Sequence, residues 1–243
     1  MGNLKIGIIV ADVEEYRLLE MTLSKYDHKP YDFISGKGDE FMIKTENGVA
    51  DTVSVLSNIG KTNAAASAMH LCDIGCDIII NFGLSGGISG VNRGELSLCT
   101  GFVEHDFDMT CIGYKPYEKP AQKYIYEINP VILEFVKKSL PDIKCGFAAS
   151  GDCFVSDENL RNKLKEDFNA MSCDMETAAI ASVCYFAKIP CICIRRISDD
   201  AGSDACGTYR EMNTSDETIL SDSVMKLCED IIDSNLLGKL NGK

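Results

Sequence analysis

The chain reads as an α/β protein, a single domain spanning residues 1–243 with a central mixed, twisted sheet flanked by helices on both sides. Three observations predict this. Apolar runs of strand length alternate with segments of helical spacing along the chain. Several of those runs are apolar without interruption, as expected of strands covered on both faces. The composition, 45% hydrophobic with 20 Gly and only 6 Pro, suits a large core with few forced breaks. No linker-like stretch, low-complexity segment or short-period repeat divides the chain.

The first strand is LKIGIIVA, Leu4 to Ala11, followed by helical spacing from Tyr16 to Met21. Asp39 to Ile43, the run after Gly48, and Thr52 to Leu56 read as meander strands. From Thr62 the small residues of NAAASAMHLC favour a helix that stops near Gly75. Ile78 to Phe82 is a buried strand, expected to break at GLSGGISG. The second half repeats this logic. Pro130 to Leu140 is a helix, Cys145 to Ala149 a strand, and Glu158 to Phe168 a polar helix. Asp174 to Ala187 is an apolar helix with Asp174 as its natural N-cap. Pro190 introduces the strand CICI, and Ser215 to Ile232 closes the chain as a helix.

Composition narrows the function. Twelve cysteines are spread through apolar runs of a long chain, and for the only loosely ligand-like pair, Cys72 and Cys76, no second pair or His completes a zinc site. They read as reduced thiols acting as small hydrophobes, which suits a reducing cytoplasm. A net charge of −13 disfavours nucleic acid and anionic membranes as general partners. No apolar run approaches a membrane span. The N-terminus reads as neither signal peptide nor myristoylation site, since Ile6 stands where the latter needs Ser or Thr.

Ligands of such sheets gather beyond the carboxyl ends of the strands. Three strand ends here are chemically unusual: Ala11 to Glu15, Gly83 to Gly90, and Ser198 to Gly202. Asp12, Glu14 and Glu15 suit a helix N-terminus, or a carboxylate at a pocket mouth that takes a proton from water. GLSGGISG lacks the spacing and the lysine of a phosphate loop, but its small residues permit close backbone approach to a sugar or base. Phe154 can stack on a planar base or join the core. Glu176 enters an apolar helix and needs partners, such as ribose hydroxyls or an arginine. Asp199 or Asp200 caps a turn, pairs with Arg195 or Arg196, or, beside Ser198, protonates a ring nitrogen. Only His28, His70 and His105 exist, none close in sequence, so acid–base chemistry rests on carboxylates.

Together these segments resemble the nucleoside phosphorylase/hydrolase superfamily, and within it the 5′-methylthioadenosine/S-adenosylhomocysteine nucleosidases. KIGIIVADVEEYRLL, SNIGKTNAAASA, NFGLSGGI, HDFDMTCIGY, SGDCFV, DMETAAIA and RRISD carry the resemblance, in order along most of the chain. It implies that Asp199 protonates adenine N7 and holds the exocyclic amine, with Ser198 orienting it. Glu15 would activate the attacking water. Glu176 would hold the ribose hydroxyls, assisted by Met175, with Arg195 placing Glu176 and the water. Phe154 would stack on adenine and the Val155 backbone would bind its edge. Ile59, Leu84, Ser85 and Gly86 would also contact substrate, and Tyr209 would line the tail pocket. Met109 and Ile112 would come from the other subunit of a homodimer. The resemblance implies no cofactor and no metal, and a small nucleoside as the only ligand. Three residues depart from the family pattern: Leu84 for a serine, Asp12 for a methionine, and Arg196 for a small residue. Two rival readings stand beside hydrolysis: a phosphate-dependent phosphorylase of the same fold, and a nucleoside-binding protein without turnover.

Overall fold

The computed structural model describes residues 3–33 and 36–240. Ten strands form one mixed sheet, and the way that sheet folds back on itself positions everything that follows. β1 (Leu4–Val10) pairs in parallel with β4 (Val49–Leu56) on one side and β5 (Ile78–Gly87) on the other. β3 (Gly36–Lys44) and β2 (His28–Phe33) extend the β4 edge as an antiparallel meander. Beyond β5 the sheet closes. β10 (Cys191–Asp199) lies parallel to β5 and antiparallel to β6 (Leu96–Glu104). β6 runs parallel to β8 (Lys144–Ser150), and β8 to β9 (Ala170–Asp174). β9 returns to β5 through Gly86 and Gly87, completing a ring of five strands. The short β7 (Ile125–Glu127) sits outside β6.

Helices cover both faces. On one side α1 (Val13–Leu23), α3 (Pro130–Ser139), α7 (Ile219–Ser234) and the short α8 (Leu236–Leu240) bury Leu19, Leu23, Ile132, Val136, Val224 and Ile231 against Ile6, Ile8 and Ile80. On the other, α2 (Lys61–Asp73) and α5 (Thr177–Ala187) pack Ala64, Ala68, Leu71, Ile180 and Cys184 on Ile9, Val55 and Ile79. The small residues of α2 and α5 are what let these two helices lie close to each other and to the sheet. α4 (Glu158–Phe168) covers the ring through Leu164, while α6 (Ala205–Asn213) leaves the end of β10. All twelve cysteines are free, and Cys76, Cys99, Cys173, Cys184, Cys193 and Cys228 are buried as small apolar groups. No described helix is long and apolar enough to cross a membrane.

The expected order of elements holds, with four corrections. β5 does not break at Phe82 but runs on through Gly83, Leu84, Ser85, Gly86 and Gly87, because the small residues stay paired with β10 and β9. α5 begins at Thr177 rather than Asp174; Asp174 ends β9, and Glu176 occupies the N-cap position without a side-chain cap bond. β10 likewise continues past its apolar half to Asp199. α7 starts at Ile219 rather than Ser215.

Candidate active site

The ends of β1, β5, β9 and β10, two loops and Tyr209 of α6 enclose a cavity of about 330 Å³, within the size range of small-molecule sites, about 300–1,000 Å³. From the end of β1 come Asp12 and Glu15. Asp12 is the N-cap of α1, accepting from the Glu14 amide at 2.7 Å. Glu14 turns outward and pairs with Arg17 at 2.8 Å, whereas Glu15 turns inward and is buried. Its Oε1 accepts from the Leu84 amide at 2.6 Å, and burial holds its carboxyl up at about 8 despite that bond and the nearby Arg195 charge. A Cβ on Gly83 would stand 2.7 Å from Glu15 Oε2, so the glycine is what admits this carboxyl to the strand.

β9 and α5 deliver Asp174, Met175 and Glu176. Asp174 accepts from the Glu176 and Thr177 amides, both at 3.1 Å, from the Ser150 and Thr177 hydroxyls, and from Arg195 Nε at 3.1 Å. Burial works against its charge, but the Arg195 guanidinium and these donors hold the carboxyl below its ordinary range. It thus caps α5 from two residues upstream. Arg195 is itself fully buried and donates its second arm to Asn81 Oδ1 at 2.6 Å. Glu176 accepts from the Gly60 amide at 3.0 Å, and burial, reinforced by the Asp174 charge, raises its carboxyl to about 7. The Gly60 turn is pinned in place by the Lys61 amide on Asp152 Oδ1 at 2.8 Å and by Lys61 Nζ on Glu104 Oε2 at 2.9 Å.

β10 supplies Ser198 and Asp199. Asp199 is buried, its Oδ1 accepting from the Ala201 amide at 2.8 Å and its Oδ2 lying 2.7 Å from Ser198 Oγ. Ser198 Oγ also reaches the Ser85 carbonyl at 3.2 Å. Its single proton serves either acceptor, so the contact suits Asp199 ionised or protonated. Burial raises the Asp199 carboxyl above its ordinary value. Gly86 lets it sit there, since a Cβ would fall 3.1 Å from Asp199 Oδ1. Asp200 instead accepts from the Gly202 amide at 3.0 Å and shapes the turn, as its expected role required. Phe154, following β8, and Tyr209, on α6, meet edge-to-face at the mouth with centroids 5.4 Å apart.

Every residue expected in the pocket of this chain lines the one cavity: Glu15, Ile59, Leu84, Ser85, Gly86, Phe154, Val155, Met175, Glu176, Arg195, Ser198, Asp199 and Tyr209. Met109 and Ile112, expected to serve a second subunit, do not line it; they belong to a 3₁₀ turn at Thr110–Ile112, where Ile112 is 65% exposed. The sequence reading missed Asp174 as the partner of Arg195 and missed Asn81 entirely. A lone amide inside the apolar run IIINF was the available signal, because a buried amide needs partners.

Known proteins resemble this chain over nearly its whole length. The family model described as Phosphorylase superfamily matches residues 5–233. The aminodeoxyfutalosine nucleosidase of Campylobacter jejuni is 30% identical over 237 residues, covering 93% of this chain and 99% of that protein. The 5′-methylthioadenosine/S-adenosylhomocysteine nucleosidase of Halalkalibacterium halodurans is 34% identical over 214 residues, 85% of this chain and 90% of that protein. Among solved structures, the S-adenosylhomocysteine nucleosidase of Streptococcus pyogenes, in complex with 5-methylthiotubericidin, superposes with a TM-score of 0.83 at 27% identity, covering 95% of this chain and 98% of that one. On the match over nearly its whole length, and on relatives covered almost end to end, the chain belongs to the phosphorylase superfamily, among its nucleosidases.

Proposed function

We propose that this protein hydrolyses the N-glycosidic bond of 5′-substituted adenosines, releasing adenine and a 5′-substituted ribose. The observation that carries this reading is the placement of Asp199 and Glu15 in one cavity, both carboxyls held above their ordinary range by burial, with Glu176 between β9 and α5. Asp199 gives its proton to adenine N7 as the bond from C1′ to N9 breaks, and the bonding electron pair leaves with the base. Ser198 holds the acid. Glu15 takes a proton from the water whose oxygen attacks C1′. Glu176 holds the ribose hydroxyls beside Met175, and Arg195, tied to Asp174 and Asn81, fixes the end of β9 from which Glu176 departs. The ribose acquires positive charge as the bond breaks, and a pocket lined by Glu15, Asp174, Glu176 and Asp199 favours it. Phe154 stacks on adenine, the Val155 backbone meets its edge, and Tyr209 lines the 5′ end. Met109 and Ile112 complete the 5′ end of a partner's pocket in a homodimer, working in the cytoplasm.

Hydrolysis is favoured over phosphorolysis by the charges present. Arg195 is the only cation lining the cavity among the described residues, and its guanidinium is committed to Asp174 and Asn81. The test is adenine release from 5′-methylthioadenosine, S-adenosylhomocysteine and aminodeoxyfutalosine, with and without inorganic phosphate. Phosphate-independent release supports the reading. Faster release with phosphate, yielding a sugar 1-phosphate, assigns a phosphorylase; tight binding without release assigns a binding protein.

A further inference from the structure

Behind Glu15 lies a second, much smaller cavity of about 20 Å³, bounded by α1, β5, β10 and the segment joining α6 to α7. Glu15, Phe82 and Leu84 line both cavities and form the partition between them. Seven buried polar side-chain atoms among the described residues have no hydrogen-bond partner, and three of them, Arg196 Nε, Asn213 Oδ1 and Ser215 Oγ, belong to residues lining this one space. Arg196 is over nine-tenths buried, and its other contact is the ion pair of Nη2 with Glu217. Buried polar atoms are ordinarily paired. A cluster of three around one void of this size is a built feature, not scattered imperfection.

The chemistry of the three atoms selects the occupant. Arg196 Nε can only donate, Asn213 Oδ1 can only accept, and Ser215 Oγ does either. The Asn213 orientation is set by its other end, where Nδ2 donates to Asp12 Oδ1 at 3.3 Å. The reversed amide would press an oxygen against a carboxylate. A halide satisfies the donors and repels Asn213 Oδ1. An ammonium or metal ion satisfies the acceptors and repels Arg196. Water alone serves both, and the cavity exceeds the roughly 10–15 Å³ a water requires.

We propose that this cavity is a water site, in which one internal water accepts from Arg196 Nε, donates to Asn213 Oδ1 and pairs with Ser215 Oγ, and that Asn213 thereby holds the Asp12 carboxylate in place at the wall of the large cavity. Arg196 and Asn213 are positioning residues in this arrangement, acting on the pocket through Asp12. The chain 196–water–213–12 ties β10 to the start of α1 across the end of α6, the helix that carries Tyr209. Arg196 thus acquires a reason to be buried beside the site without touching it.

A crystal structure of the protein tests the site directly. The expected result is one discrete peak within hydrogen-bond distance, about 2.7–3.2 Å, of all three atoms. Absence of a peak with Arg196 Nε bonded straight to Asn213 Oδ1, or an anomalous bromide signal at the peak in bromide-soaked crystals, overturns it. The role through Asp12 rests on the nucleosidase reading and has its own readout. Asn213→Leu should raise KM for the best substrate about tenfold while kcat stays within about twofold. Ser215→Ala, which touches neither Asp12 nor the large cavity, should raise KM about threefold with kcat unchanged. Unchanged KM in both variants, or an equal fall in kcat and kcat/KM, overturns the positioning role. The crystallographic result stands whatever the substrate panel shows, so failure of the water site and failure of the nucleosidase reading are distinguishable.

Discussion

In the proposed hydrolysis, Glu15 and Asp199 divide the acid–base work through different surroundings. Glu15 has one backbone donor and is otherwise buried, which raises it to about 8; Asp199, with Ser198 and the Ala201 amide as partners, rises too. The active form carries one proton across the pair, on Asp199 with Glu15 ionised. With Glu15 ionised above about pH 8, the loss of the Asp199 proton removes the acid. A kcat/KM profile should therefore hold level near neutrality and fall about tenfold per pH unit beyond pH 8. A profile still climbing above that point would remove Glu15 from the pair. Asp199→Asn should lower kcat about 10²–10⁴-fold with an unchanged Tm, measured by adenine release and thermal melting. Normal turnover in that variant would hand the acid role elsewhere. Burying Glu15 also links stability to pH. Folding raises its proton affinity, so its contribution is present at low pH and is lost as pH rises from the ordinary carboxylate range through about 8. Glu15→Gln should accordingly be more stable than the parent at pH 8–9, by up to about 4 kcal/mol, with the gap closing toward pH 4.5. Denaturant midpoints at the two pH values measure this.

At the scale of elements, β5 matters most, because its glycines face the Glu15 and Asp199 carboxyls. Gly83→Ala places a methyl 2.7 Å from Glu15 Oε2 and must displace it. A shift of about 1 Å in a reacting group can lower the rate about 100-fold. Turnover in this variant should fall by that order while Tm drops by only a few degrees, roughly the effect of 1 kcal/mol. Loss of folding in parallel with activity would show that the glycine serves the sheet instead. Much of this element was legible. IIINF read as strand from its apolar run, and the small residues after it read as a close-approach segment. The continuation of the strand through Gly87 was not legible, because glycine carries no apolar periodicity and is held there by neighbours β9 and β10. β2, β6, β7 and β9 were also unread. β2 is mostly exposed HKPYDF, and its pairing with β3 comes from the meander, not from its own composition.

Over the whole molecule, the five-strand ring gathers the site. Asp174 at the end of β9 and Arg195 on β10 meet at 3.1 Å, with side chains 1% exposed. Neither strand pairs with the other; both pair with β5. Asp174→Ala leaves a buried guanidinium without its carboxylate and should destabilise the fold by about 3–5 kcal/mol in urea titrations. Adding Arg195→Met should recover part of that loss, and a single variant as stable as the parent would remove this pair from the account of the ring. The proposed homodimer has its own check. Ile112→Asp should raise KM for 5′-alkylthio substrates without lowering Tm, if the exposed 3₁₀ turn serves a partner's pocket. The sequence by itself determined the alternation of strand and helix, the three chemically unusual strand ends and, through the family resemblance, Asp199 as a stronger acid candidate than Asp200. Those are local properties, written in periodicity, small-residue runs and motif order. Only the tertiary structure decided which of Asp12, Glu14 and Glu15 would lose water. Neighbours on a helix point about 100° apart, so the surfaces that meet α1 choose one for burial, one for capping and one for solvent. Only it could pair Arg195 with Asp174 and set Arg196 behind Glu15, since both partnerships form where segments distant in sequence close the same ring.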